Sequence, residues 1–135
     1  MRYPLDELID KRSIIQLKIE RIEDYNERRR ILKEFSDYTF AIAQYLAEEV
    51  CTREDIENWH LRLYETNGKI WDLESAIRKG KENELGLEEV GRRAIEIRTI
   101  NGQRIAIKSE IVEKIGIGYK DIKINHASES QTSKP

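Results

Sequence analysis

The chain has 135 residues and a mass of 16.0 kDa, enough for one domain and too little for a second full core. Hydrophobic residues make up 39% and charged residues 37%, with only two prolines, a balance that suits long amphipathic helices and argues against a sandwich or barrel. The 24 Lys and Arg against 26 Asp and Glu leave a formal charge of -2, so no global field draws the chain toward nucleic acid or an anionic membrane.

The N-terminus, MRYPLDELIDKR, lacks the apolar run of a signal peptide. Leu5, Leu8, Ile15, Ile19, Ile22 and Leu32 then recur on three- and four-residue steps, the spacing of one helical face. Pro4 sits where a first turn tolerates it. The polar side, with Arg12, Glu20, Arg21, Glu23, Glu27, Arg28 and Arg30, is mixed in sign. A second apolar set, Phe35, Tyr38, Ile42, Tyr45, Leu46 and Val50, follows a change of phase near Phe35 and Ser36 that reads as a bend or a short break. The longest charge-free stretch, Tyr38 to Ala47, is too short to cross a bilayer. The lone Cys51 excludes an internal disulfide and fits a reducing compartment, which makes the cytoplasm the expected location.

Thr52 and Asp55 have the form of a capping box, so a new helix is expected from Arg53 through Ile56, Leu63, Ile70, Leu73 and Ile77. Residues 79–87 read as a loop. Beyond them Val90, Ala94, Ile97, Ile100, Ile107, Ile111 and Ile115 make another long face, closing at Gly116 and Gly118. Asn101-Gly102 between isoleucines is a strong β-hairpin signal. Its register pairs Arg98 with Ile105 and Glu96 with Ile107 and leaves neither face apolar, so the helix is the better reading. Tyr119 to Ile124 reads as short and extended. The chain is thus expected to be a single helical domain over residues 1–125, with a disordered tail over 126–135.

Two helices joined by the 79–87 loop form an antiparallel hairpin in which facing residue numbers add to about 168. Asn67 then faces Asn101, His60 faces Lys108, and Glu74 lies near Ala94, Arg93 and Arg98. Gly68 and Gly102 fall at one level, which would let the backbones approach closely. Polar residues recur on the inner side: Asn67, Glu74 and Arg78 on one helix, Asn101, Arg104 and Lys108 on the other. They must hydrogen-bond one another or something brought in. With Trp71 they form the candidate binding set. Arg104 and Lys108 would neutralise a phosphate, Arg78 would clamp it, and the asparagines would read polar edges.

The pieces Glu65-Thr66-Asn67, Ile70-Trp71-Asp72-Leu73-Glu74 with Arg78, then Asn101, Arg104, Lys108 and Ile111, resemble an uncharacterised all-helical bacterial family whose members accompany or are fused to glycosyltransferase modules in surface-polysaccharide loci. The resemblance spans residues 63–115. Gly102 stands where that family usually has an acidic residue. What the resemblance implies is the helical hairpin and a sugar-related context; it brings no activity with it.

Other constellations carry less. Glu57-x-x-His60 has di-iron spacing, but a site needs a second copy and further carboxylates. Glu20-x-x-Glu23 and Glu34-x-x-Asp37 resemble the paired acidic motifs of helical pyrophosphatases, yet on one helix they stand about 21 Å apart. Arg28-Arg29-Arg30 lacks interleaved aromatics for base stacking, and Gly116-Ile117-Gly118 lacks the spacing and lysine of a phosphate loop. No catalytic residue, metal ligand or cofactor is assigned. The expectation is an all-α protein in which an antiparallel long-helix hairpin packs with a long N-terminal helix, completed as a homo-oligomeric helical bundle or partial coiled coil. Functionally it reads as a non-catalytic interaction or accessory protein linked to glycan or nucleotide-sugar metabolism. The alternative is a protein or small enzyme that binds an anionic ligand, such as a nucleotide or sugar phosphate, on the inner face. Nucleic acid and membrane are not expected partners.

Overall fold

A computed structural model describes the backbone of residues 2–82 and 86–132, and the side chains of 2–79 and 86–124. It is all-α: α1 (Leu5–Arg21), α2 (Tyr25–Ala47), α3 (Arg53–Glu82) and α4 (Leu87–Thr132), with no strand among the described residues. Paired side chains give the directions. Tyr45 reaches back to the Tyr3 carbonyl and Arg12 reaches Thr39, so α2 runs antiparallel to α1. Gln16 meets His60 and Arg21 meets Asp72, so α3 runs parallel to α1. Glu7 meets Lys108 and Asp10 meets Arg104, so α4 runs antiparallel to it. The path is up-down-up-down, and α1 touches all three other helices.

The helix boundaries follow local chemistry. Thr52 and Asp55 form the expected capping box, each side chain accepting from the other's backbone N–H at 3.0 Å. The break in the N-terminal region lies at residues 22–24, not at Phe35 and Ser36. Ile22 is extended (φ -90°, ψ 131°), and the Asp24 carboxylate caps α2 by accepting from the Glu27 N–H at 3.0 Å. The apparent change of phase comes from reading Leu32 as core. Leu32 is exposed, whereas Ile31 is buried and leads an unbroken face of Ile31, Phe35, Tyr38, Ile42 and Tyr45.

The hairpin of α3 and α4 is present, with Arg62 paired to Glu110 at 2.8 Å. α3 extends to Glu82, inside the expected loop, and residues 83–85 of that loop lie outside the described residues. Asn101 and Gly102 are helical, as the register argument requires. α4 does not stop at Gly116 and Gly118, and residues 119–124 are not extended. The helix continues to Thr132, through residues 126–132 of the expected tail; Ser133 to Pro135 lie outside the described residues. Neither glycine adopts a left-handed conformation. Gly118 instead allows close approach, since a Cβ there would fall 2.4 Å from the Val50 carbonyl oxygen.

The core gathers around α1. Leu5, Leu8 and Ile9 pack with Ile42 and Tyr45 of α2, Trp59 and Leu63 of α3, and Ile107 and Ile111 of α4. The expected contact of Gly68 with Gly102 does not occur. Gly68 faces Leu17 of α1, with 3.5 Å from a built Cβ to the nearest leucine carbon, and Gly102 faces open space. α1 wedges between positions that a two-helix register places face to face.

Candidate functional site

Asn67, Arg104 and Lys108 of the hairpin converge on α1, on two carboxylates and a hydroxyl that the sequence reading passed over. Asp10 is 1% exposed and Ser13 0% exposed, one turn apart on the side of α1 that faces α3 and α4. Arg104 grips Asp10 with two bonds, Nε to Oδ1 at 3.0 Å and Nη2 to Oδ2 at 2.5 Å. Asn67 donates to Asp10 Oδ1 and to Ser13 Oγ, both at 3.0 Å, and Ser13 donates to the Asp10 carbonyl at 2.6 Å. Arg104 also donates to Asn101 Oδ1 at 3.3 Å. One turn along, Lys108 Nζ donates to Glu7 Oε1 at 2.6 Å.

The electrostatics follow from this geometry. Burial pushes the Asp10 carboxyl up, but the hydrogen bonds from Arg104 and Asn67, with the charges of Arg104 and Lys108, outweigh it and hold the group below its usual range. Asp10 is therefore ionised, and its bond to Arg104 is a charge-assisted bidentate pair, the form in which a buried carboxylate is best tolerated. Among the described residues no buried side-chain nitrogen or oxygen lacks a partner.

Beside the network lies an open groove of about 550 Å³ between α1, α3 and α4. Of the expected binding set, Asn67, Trp71, Glu74, Asn101 and Arg104 line it, together with Arg98 and apolar residues such as Ile14 and Ile97. Arg78 does not: it is exposed and bonds Ser75 at 3.3 Å. Lys108 does not either, because its ammonium is turned onto Glu7. Trp71 is half-buried and carries the Arg21 guanidinium 5.4 Å above its ring, so one face of the indole is already covered. Glu74 and Arg98 line the groove from exposed positions, in no ion pair among the described residues.

His60 does not face Lys108. Its Nδ1 accepts from Arg12 Nε at 3.1 Å and its Nε2 lies 2.5 Å from Gln16 Oε1, with Phe35 edge-on at 6.3 Å. Burial, and then the charge of Arg12, push the imidazole down to about 4, so it is neutral with the proton on Nε2. Glu57, its partner in the di-iron spacing, is exposed. Of the acidic pairs, Glu20 lies in α1 and Glu23 in the connection that follows it, while Glu34 and Asp37 lie in α2, and no group of His, Cys, Asp and Glu among the described residues is placed to hold a metal ion. Burial also raises the Cys51 thiol to about 11, with the Asp55 charge adding to it, which makes the sulfur a poor nucleophile.

A signal for the missed residues exists in the sequence. Asp10 and Leu17 are seven apart, so Asp10 shares a core phase with an apolar residue, just as Arg104 does with Ile97 and Ile111. Opposite charges at core phases of two helices are candidates for pairing across the core. Comparison with protein-family models, with curated proteins and with solved structures finds nothing that matches this chain.

Proposed function

We propose that this chain is a non-catalytic helical interaction protein of the cytoplasm. One observation carries the reading: of the three cations expected to hold a phosphate on the hairpin, two are already neutralised from α1, Arg104 by Asp10 and Lys108 by Glu7, and the third, Arg78, does not line the groove. An incoming anion would have to displace a buried carboxylate that holds two bonds of its own, and the displaced group would be left unpaired at a cost of several kcal/mol. A structural network of this kind sets the register of three helices and releases no charge for chemistry. The cytoplasmic location rests on the single cysteine. The link to glycan or nucleotide-sugar enzymes rests on the resemblance over residues 63–115 alone.

A second reading has its own observation in favour. The groove is large enough for a small molecule, and Glu74 and Arg98 face it uncommitted, so a small polar or anionic ligand could be held there beside Trp71 and Asn101. Native mass spectrometry of protein purified gently from its own host separates the two. The interaction reading expects masses at whole multiples of 16.0 kDa. A reproducible extra mass of a few hundred daltons per subunit, lost on Arg98→Ala or Asn101→Ala, overturns it.

A further inference from the structure

The core occupies only one side of α4. On the flank of α4 beyond α1, Ile95, Arg98, Gly102, Ile105, Ser109, Val112, Gly116 and Tyr119 alternate on three- and four-residue steps, and every one of them is exposed, with Arg98 also lining the groove against α1 and α3 and the Tyr119 hydroxyl bonded to Arg2 and Glu48. Ile95 is 64% exposed, Ile105 55% and Val112 56%. Such a seven-residue repeat is the seam of a coiled coil, and here it is a second seam, independent of the buried one that faces α1 and α3. Over residues 102–119 its two edges differ in size; before them Ile95 falls on the small edge and Arg98 on the large one. Ile105, Val112 and Tyr119 follow one another at seven-residue spacing along one edge, and Gly102, Ser109 and Gly116 along the other. Among the described residues, nothing beyond the adjoining turns of α4 lies within 4 Å of where a side chain at Gly102 or Gly116 would begin. Each glycine weakens the helix by about 1 kcal/mol relative to alanine, and no contact within the monomer compensates.

We propose that this face binds a second copy of the chain, α4 against α4, antiparallel about a two-fold axis near residue 107. The proposal rests on the interaction reading above and gives it a partner. Size complementarity selects the direction. In the antiparallel pair each layer takes one residue from each edge, so Ser109 lies level with Ile105 of the second copy and Gly102 with Val112, and the two-fold repeats both layers. A parallel pair in register instead sets Gly102 on Gly102 and Ile105 on Ile105, leaving alternate layers empty and crowded. In this register Arg98 lies level with Gly116 of the second copy and about one turn from its Glu113, and neither Arg98 nor Glu113 is in an ion pair within the monomer among the described residues. The face removes on the order of 400 Å² of apolar side chain per copy from water, and with its polar rim brings the pair to about the 1,000 Å² of a specific interface.

Sedimentation equilibrium over a range of concentrations tests this, with circular dichroism to confirm folding of each variant. The expected result is a dimer of twice 16.0 kDa that becomes monomeric in Val112→Glu and also in Ser109→Phe. The second variant adds apolar surface yet blocks the close approach, so a merely sticky face would associate more strongly. Spin labels at Glu96→Cys in a Cys51→Ser background read the direction. The antiparallel pair separates them by about 33 Å along the axis, whereas a parallel pair sets them side by side. A wild-type monomer, a dimer that survives both variants, or a short spin-spin distance overturns the proposal. None of these bears on a retained small-molecule mass, the result that defeats the interaction reading.

Discussion

Asp10 decides the character of the molecule at the scale of single residues. An ionised carboxylate that is 1% exposed is tolerable only while Arg104 and Asn67 hold it. Arg104→Ala is therefore expected to destabilise the fold by about 3 kcal/mol, measured by urea unfolding, while Asp10→Leu with Arg104→Met recovers most of the loss because no unpaired charge remains. His60 supplies a second expectation, in pH. Its folded value near 4 lies below the ordinary 6.5, so between these values the unfolded chain binds a proton that the folded chain does not. The contribution of neutral His60 is then complete above pH 6.5 and is lost as pH falls through that window toward 4. Unfolding free energies measured from pH 7 to 4 should fall less steeply in His60→Gln than in the parent.

Among the elements, α4 is the least ordinary. Its 46 residues span about 69 Å, whereas the 17 residues of α1 span about 26 Å, so much of α4 extends past its central partner. Two of its glycines act in opposite ways. Gly118→Ala gains helix propensity but drives a methyl group to 2.4 Å from the Val50 carbonyl. It is expected to lower the melting temperature by separating α4 from the connection between α2 and α3. Gly91→Ala meets open space and should stabilise by up to about 1 kcal/mol. Equal shifts in the two variants would mean that α4 does not bear on Val50. The capping box at Thr52 was legible because both partners lie within three residues; the close approach at Gly118 was not, because Val50 is sixty-eight residues away in sequence.

For the whole molecule, the arrangement of three helices around α1 explains why a two-helix reading of the polar face went astray. With only α3 and α4 in view, Lys108 points at His60 and Gly68 at Gly102. Once α1 enters, Lys108 turns to Glu7, His60 to Gln16 and Arg12, and Gly68 to Leu17. The same packing closes the polar network on itself and leaves Ile95, Ile105 and Val112 of α4 exposed. On the proposal of an α4 pair, stability and association use different faces of one helix. Surface substitutions at Val112 should change the oligomer without changing the fold, and core substitutions at Arg104 should do the reverse.

Periodicity and local chemistry, both readable along the chain, were enough to determine an all-α protein, the cap at Thr52, the rejection of a β-hairpin at Asn101-Gly102 and the inner face that carries Asn67, Asn101 and Arg104. Helical faces and caps depend on neighbours three or four positions away, so a linear reading contains them. What only the tertiary structure decided is which faces meet: that Ile31 rather than Leu32 is core, that α1 packs against both arms of the hairpin, and that Arg104 is spent on Asp10. Those outcomes depend on the competition of whole helices for burial, where a carboxylate and a guanidinium ninety-four residues apart find each other because neither can remain buried alone.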